Sequence, residues 1–292
     1  MNIVSVFDGM SCGQIAINKL GIHNYTYYAS EIDRHAISVT QHNYPSTIQI
    51  GDITKASFKD GWLHTENGSF FVGKVDLFMG GSPCQSISNL GDGSGLDGKS
   101  GLFFHWLRLR DEISPKHWLL ENVVGSKKAI SQINDVLGCS PSLINSNLFS
   151  AQNRARYYWT NIEVCNIQSE VCDTKLIDIL DKTISEFSIL TPGRLKWLQS
   201  EKGQKCVKNR YAAIDPIKAN CLTARSDASW NCNYVTREGV LTKLSPEEYE
   251  KLQTVPVGYT SCAKTSERYK MLGNGWTVDV IVFILKQMIM EE

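Results

Sequence analysis

Over the first 160 residues, short apolar runs alternate with amphipathic stretches, and each run stops at a polar or glycine-rich turn. Ile3 to Phe7 ends at Asp8-Gly9 and is followed by an expected helix from about Gly13 to Leu20, closed by Gly21. Tyr25 to Ser30 ends at Glu31-Ile32-Asp33, Thr47 to Ile50 at Gly51-Asp52, and Val75 to Met79 at Gly80-Gly81-Ser82-Pro83-Cys84. A helix from about Leu102 to Ile113 leads to a further strand, Trp118 to Leu120, which ends at Glu121-Asn122. Parallel neighbours need a crossover, normally a helix, so this alternation commits the chain to a mostly parallel sheet covered on both faces. In such sheets ligands bind beyond the carboxyl ends of the strands, where the polar turns fall.

Beyond Asn161 the pattern loosens. A helix near 174–180, a Thr191-Pro192-Gly193 turn and a basic strip suggest a small second domain over 163–219, with 1–162 and 220–292 forming the larger one. Regularity returns at Ser245-Pro246-Glu247-Glu248, a helix start with Ser as N-cap and Glu three residues on. An apolar helix over about 277–290 is expected to pack back on the sheet. The formal net charge is zero. Between Arg194 and Arg225, however, eight cationic residues, including Lys205, Lys208, Arg210 and Lys218, face two acidic ones, Glu201 and Asp215. Such a strip is either a solvated surface or a phosphate-contacting one.

Nine cysteines without C-x-x-C spacing, and six histidines confined to 23–117, argue against a zinc site and against a disulfide scaffold. No metal is expected. Nothing reads as a signal peptide or a membrane span, so a cytoplasmic protein is expected.

Several turns carry groups suited to chemistry. Phe7-Asp8-Gly9-Met10-Ser11-Cys12-Gly13 precedes the first helix, whose N-terminal amides can face a ligand. Its spacing is not that of dinucleotide enzymes, and a structural turn and a cofactor loop both remain open. Glu31 and Asp52, at successive strand ends, are placed to accept from ribose hydroxyls and from an adenine amino group. Cys84 follows Gly-Gly-Ser-Pro at a strand end, where a thiolate can attack an electron-poor ring carbon, and 86–101 is a glycine-rich loop able to close over a substrate. Glu121 supplies a carboxyl at the next strand end; protonated, it can donate to a ring nitrogen. In Gln152-Asn153-Arg154-Ala155-Arg156, alternation on an extended segment points both arginines one way.

These motifs, with Thr223-Ala224-Arg225-Ser226 and Gly273-Asn274-Gly275-Trp276, stand in the order of the cytosine-C5 DNA methyltransferases, which the chain resembles over nearly all but the basic domain. Ser30-Glu31, Leu102-Phe103-Phe104, Ala155-Arg156-Tyr157 and Trp276 are similar to the eukaryotic de novo branch; the lack of chromatin-reading domains resembles a stand-alone bacterial or phage enzyme. The resemblance implies an α/β, Rossmann-like S-adenosylmethionine-dependent methyltransferase fold with a small target-recognition domain.

It further implies a catalytic set of Cys84, Glu121, Arg154 and Arg156 acting on a cytosine flipped from duplex DNA. The cofactor set is Phe7, Asp8, Gly9, Met10, Cys12, Glu31, Ile32, Asp52, Ile53, Ser82, Pro83, Asn274 and Trp276. DNA contacts fall on Gln85, Ser86, Arg194, Lys205, Lys208, Arg210 and Arg225. Arg154 is expected to help order the closed loop, and Arg156 to hold the cytosine O2. Relatives in the eukaryotic branch self-associate through a Phe-rich helix, which makes a homo-oligomer through Phe103, Phe104 and Trp106 an expectation. A restriction-modification or phage DNA-protection setting follows from the stand-alone form. Three rival readings are a tRNA cytosine methyltransferase of the same fold, a catalytically inactive DNA-binding subunit, and a nicotinamide-dependent oxidoreductase, for which the glycine spacing is wrong. The first usually carries Pro-Pro-Cys and Cys-Phe-Thr, whereas this chain has Ser82-Pro83-Cys84 and no Cys-Phe-Thr.

Overall fold

The computed structural model describes residues 1–83, 101–165, 167, 172–227 and 232–290. Two compact units emerge: Met1–Ile144 with Ala155–Ile167 and Ile281–Glu292, and Asn145–Arg154 with Gln168–Val280. The second unit is therefore larger than the 163–219 segment marked by the basic strip. It also takes in 145–154 and 220–280: Gln152 bridges to Ala219, and the strand at Ala213–Ile214 pairs with Asn233–Arg237.

In the first unit the elements are β1 (Asn2–Val6), α1 (Cys12–Lys19), β2 (Thr26–Ser30), α2 (Arg34–Asn43) and β3 (Ile48–Gln49). A meander follows, β4 (Ser57–Lys59), β5 (Trp62–Thr65) and β6 (Gly68–Phe71), then β7 (Leu77–Gly80), α3 (Leu102–Ile113), β8 (His117–Val123), α4 (Lys127–Leu137), β9 (Ser142–Asn145) and β10 (Ala155–Thr160). The main sheet runs β3-β2-β1-β7-β8-β10-β9. Pairings from β3 through β8 are parallel, and β10 lies antiparallel to β8.

The chain builds outward from β1 to β3, then returns to set β7 against the other side of β1. With right-handed crossovers, that reversal moves the next helix to the opposite face. The packing agrees. On one face Phe103, Trp106, Leu109 and Ile113 of α3 join Val4, Val6, Phe78 and Leu120 in a single core. On the other, a Cβ at Gly13 of α1 would collide with the Met79 side chain and crowd the Tyr27 hydroxyl. Strand alternation explains the split: Val4 and Phe78 point one way, Met79 and Tyr27 the other. A side chain at Gly80 would stand 2.6 Å from the Val6 carbonyl oxygen, so the close approach of β7 to β1 at this end requires glycine.

Phe103 and Trp106 are fully buried and Phe104 is 45% exposed. Two of the three aromatic residues expected at an oligomer interface are thus core residues, because the apolar stripe of α3 is used against the sheet. The Thr191-Pro192-Gly193 turn is in fact a helix start. Thr191 caps α6 (Pro192–Gln199) with its hydroxyl accepting from the Arg194 amide, and Pro192 fills the first turn. The second unit further contains α5 (Leu176–Ile179), α7 (Glu201–Lys208), β11 (Ala213–Ile214), β12 (Asn233–Arg237), β13 (Val240–Lys243), α8 (Pro246–Leu252) and α9 (Thr265–Asn274). The last helix, α10 (Val278–Met290), begins in the second unit and continues in the first. No single helix among the described residues is long and apolar enough to cross a membrane.

One buried ion pair fastens the α8 start. Arg237 donates through both Nη atoms to the Glu248 carboxylate at 2.7 and 2.8 Å, and Glu248 also accepts from the Ser245 and Asp181 amides. Glu248→Gln leaves a buried guanidinium poorly compensated and should cost about 3 kcal/mol in chemical denaturation. Pairing it with Arg237→Met should recover part of that loss; an additive double variant would contradict the pairing.

Candidate active site

The neighbours β1 and β7 form the point where strand order reverses, so the turns after them flank the crevice where an open α/β sheet binds ligands. The first turn is built under strain. Phe7, Gly9 and Ser11 all have left-handed backbones, with φ of 55°, 59° and 61°, and two of these are not glycine. Side chains hold it in place. The Gly9 amide donates to Glu31 Oε2 at 2.7 Å, the Tyr27 hydroxyl donates to Asp8 Oδ1 at 2.7 Å, and the Ser11 hydroxyl donates to the other Asp8 oxygen. Burial, aided by the nearby Glu31 charge, pushes the Asp8 carboxyl up to about 6, against the lowering effect of the Ser11 and Tyr27 hydroxyls.

Glu31 fixes the adjoining turn as well. Its Oε1 accepts from the amides of Ile32 and Asp33 at 2.7 and 2.8 Å, and the Ile32 side chain is left 76% exposed beside it. At the next strand end Asp52 accepts from the Thr54 amide, and its own amide donates to Glu66 of the meander. Met10, Cys12 and Ile53 are buried, so any ligand contact from them is made by main chain. An uncovered apolar side chain, flanked by carboxylates at two strand ends and by a turn opening a helix, fits a nucleoside carrying a charged tail. Tyr27, Thr40 and Glu66 were missed by sequence reasoning: the first two brace the turn after β1 from a strand and a helix, and Glu66 reaches the Asp52 turn from an inserted hairpin.

At the carboxyl ends of β7 and β8, Asn122 Nδ2 donates to the Ser82 carbonyl and hydroxyl at 3.2 and 3.1 Å. The segment delivering Pro83 is thereby tied to the strand carrying Glu121. Cys84, Gln85 and Ser86 lie outside the described residues. Glu121 is nearly buried, and Arg156 Nε stands 3.0 Å from its Oε1. The sheet explains the pairing: Glu121 is directly opposite Tyr158, and Arg156 lies two residues before Tyr158 on the same face.

The other arginine of the motif behaves differently. Arg154 is 4% exposed and belongs to the second unit, where its guanidinium donates to the carbonyls of Leu222, Gly273 and Gly275. Asn274 and Trp276 stand in the turn those bonds secure. Within the basic strip, Lys205 and Lys208 are exposed on one side of α7, and Arg210 and Arg225 are exposed nearby in sequence. Arg194 is partly engaged, donating to the Asp227 carbonyl and lying over the Trp197 ring. Lys218 departs from the strip. Its ammonium donates to the carbonyls of Asn147, Ser150 and Cys172 at 2.6, 3.0 and 2.9 Å, so it is a structural cation. No group of residues that could hold a metal occurs among the described residues.

This architecture is the S-adenosylmethionine-dependent methyltransferase fold. A solved methyltransferase of Entamoeba histolytica, EhMeth, superposes with a TM-score of 0.77 at 16% identity, covering 100% of this chain and 98% of that one. The model of the C-5 cytosine-specific DNA methylases matches residues 1–212 and 151–290, and the chain belongs to that family. The orphan methyltransferase M.SPRI of Bacillus phage SPR is 30% identical over 200 residues, 62% of this chain. The match spans 43% of that relative's length and 37% of M.Rho11sI of Bacillus phage rho11s, so the matched stretch takes in less than half of each of these phage proteins. Type II methyltransferase M1.ScrFI of Lactococcus lactis subsp. cremoris is 26% identical over 93% of this chain and 75% of its own length.

The Asp8 shift has a pH signature. A carboxyl whose folded-state pKa is raised binds its proton more tightly in the native chain, so its contribution to stability is complete below about pH 4 and is lost as pH rises to about 6. Wild-type stability relative to Asp8→Asn should therefore fall by on the order of 2 kcal/mol between pH 4 and pH 7. Parallel curves in denaturant titrations would show that Asp8 is not so perturbed.

Proposed function

We propose that the chain methylates C5 of cytosine in double-stranded DNA, using S-adenosylmethionine. The observation that carries this reading is the Glu121–Arg156 pair at the end of β8, joined through Asn122 to the Ser82-Pro83 segment that leads to Cys84. Family membership supports the same reaction.

S-adenosylmethionine supplies an electrophilic methyl group on a sulfonium. The cytosine ring is a poor carbon nucleophile, and the chain's residues correct that. The Cys84 thiolate adds to C6, forming an S–C bond and pushing the ring's electron pair towards N3 and C5. Glu121 stabilises that charge by donating at N3, and Arg156 both holds Glu121 and binds O2. C5 then takes the methyl group, a base removes the C5 proton, and the returning electron pair expels the Cys84 sulfur. C5 and C6 are inaccessible within stacked duplex, so the base is flipped out before reaction. Phe7, Gly9, Glu31, Ile32 and Asp52 hold the nucleoside part of the cofactor. Arg194, Lys205, Lys208, Arg210 and Arg225 contact the DNA backbone. The setting is phage DNA protection or a restriction-modification system, in the cytoplasm of a bacterium or an infected host. Self-association, on this reading, falls to Phe104.

Cys84→Ser should retain binding of S-adenosylhomocysteine and lose methyl transfer by at least about 1000-fold. Wild type should form a covalent adduct through Cys84 with duplex oligonucleotides carrying 5-fluorocytosine at the target site, because fluorine does not leave as a proton does. Normal turnover in the variant would overturn the mechanism. Tritium transfer to tRNA but not duplex DNA would overturn the substrate.

Lys205→Ala and Lys208→Ala should each weaken DNA binding at all sequences and reduce the slope of log K against log salt by about 0.9. Slopes equal to wild type would remove these lysines from the interface.

A further inference from the structure

The strand β3 lies at the edge of the main sheet and pairs only with β2, over Ile48 and Gln49. The Ile50 amide still reaches the Ala29 carbonyl at 2.8 Å, but from Gly51, with φ of 74°, the chain leaves the ladder. An edge presents main-chain groups that no neighbouring strand pairs. Here the tip of the inserted hairpin supplies their partners. Glu66 Oε1 accepts from the Asp52 amide at 2.8 Å, and Asn67 Nδ2 donates to the Gln49 carbonyl at 3.0 Å. Glu66 also fills the space over Gly51, where a Cβ would collide with its carboxyl group.

The hairpin that carries these residues is itself fixed. Glu66 and Asn67 form the loop between β5 and β6, where Thr65 faces Gly68. The Asn67 amide donates to the Thr65 hydroxyl, which donates to the Gly68 carbonyl, at 3.1 and 3.0 Å. Below the tip, Leu63 and Val72 are buried in the core that also holds Ile50 and Ile53. On the outer side Lys55 Nζ meets Glu66 Oε2 at 2.5 Å. Hydrogen bonds from Lys55 and the Asp52 amide hold the Glu66 carboxyl below the usual carboxylate range, so it stays ionised and accepts only.

The group thereby oriented is the Asp52 carboxylate. Its Oδ1 accepts from the Thr54 amide at 2.9 Å while the Asp52 amide is held by Glu66, which leaves Oδ2 for a ligand. Opposite a purine that carries an amino group, a carboxylate gains a charge-assisted hydrogen bond; opposite one that carries a carbonyl, two acceptors face each other. A turn free to shift would let the oxygen swing aside, and the distinction would fade before binding was lost.

We propose that Glu66 is a positioning residue that sets the base specificity of the cofactor site. It holds the Asp52 turn so that the carboxylate accepts from an exocyclic amino group and rejects a carbonyl at the same place. The inference rests on the nucleoside role proposed above for Asp52.

The test compares, by isothermal titration, the Kd of S-adenosylhomocysteine with that of S-inosylhomocysteine, in which a carbonyl replaces the amino group. Wild type should prefer the adenosyl compound by about tenfold or more. Glu66→Ala should reduce the preference to less than about threefold, and Glu66→Gln, which keeps an acceptor for the Asp52 amide, should restore most of it. A purely structural Glu66 would lower the Tm of the alanine variant and weaken both compounds equally; an unchanged ratio overturns the proposal. Asp52→Asn separates the two levels of the claim. With its oxygen on the Thr54 amide, the asparagine presents its NH2 to the base, so the ratio should fall to one or invert. A wild-type ratio in Asp52→Asn, or a wild-type chain without preference, overturns the role of Asp52 and the proposal with it. A ratio lost in Asp52→Asn but kept in Glu66→Ala overturns the proposal alone.

Discussion

The parallel pairing of β1 with β7, running in register from Ile3 opposite Leu77 to Val6 opposite Gly80, is the constraint on which the rest of the first unit depends. It reverses strand order, sends α1 and α3 to opposite faces, and sets two turns side by side at the carboxyl edge. A glycine at position 80 permits this pairing, because any side chain there would meet the Val6 carbonyl. The strained turn after β1 and the Ser-Pro segment after β7 owe their neighbourhood to that one contact. Everything polar around them, from Asp8 and Glu31 to Asn122, holds those turns in place.

Charge in the molecule is divided between structural and exposed uses. Arg237 with Glu248, Arg268 with Glu250, and Lys218 among carbonyls are interior cations with fixed partners. Lys205, Lys208, Arg210 and Arg225 are exposed. The proposed DNA surface is therefore narrower than the density of basic residues suggests. A neutral chain can present it because the remaining charges are paired or spread elsewhere. The two arginines of the Gln-x-Arg-x-Arg motif follow the same division: Arg156 meets Glu121, and Arg154 is enclosed by main chain.

Much of this was legible in the sequence. The strands β1, β2, β3, β7 and β8, the helices α1 and α3, the polar turns closing β1, β2, β7 and β8, and the α8 start at Ser245 are visible because hydrophobic period and capping chemistry are local signals, whereas α2, α4 and β9 were not placed. The exact span Leu102–Ile113 of α3 is one such case. The meander from Ser57 to Phe71 was not legible, since its short strands carry Lys, Asp, His and Gly with no clean alternation. Nor was the fate of individual side chains. Nothing in the sequence distinguishes Lys218 from Lys208, and period-two alternation placed Arg154 with Arg156, whereas the chain passes from one compact unit to the other between them. The extent of the second unit was missed for a related reason: β11 finds its partner in β12, and non-local pairing leaves no mark in a window of sequence.

The central claim is that this chain places a methyl group on C5 of cytosine in DNA through Cys84. Bisulfite sequencing of plasmid DNA from a methylation-deficient host expressing the wild-type chain, beside one expressing Cys84→Ser, tests it most directly. The account predicts cytosines protected from conversion at one short recurring sequence with the wild type and none with the variant. Full conversion in both, from hosts shown to contain folded protein, would contradict it.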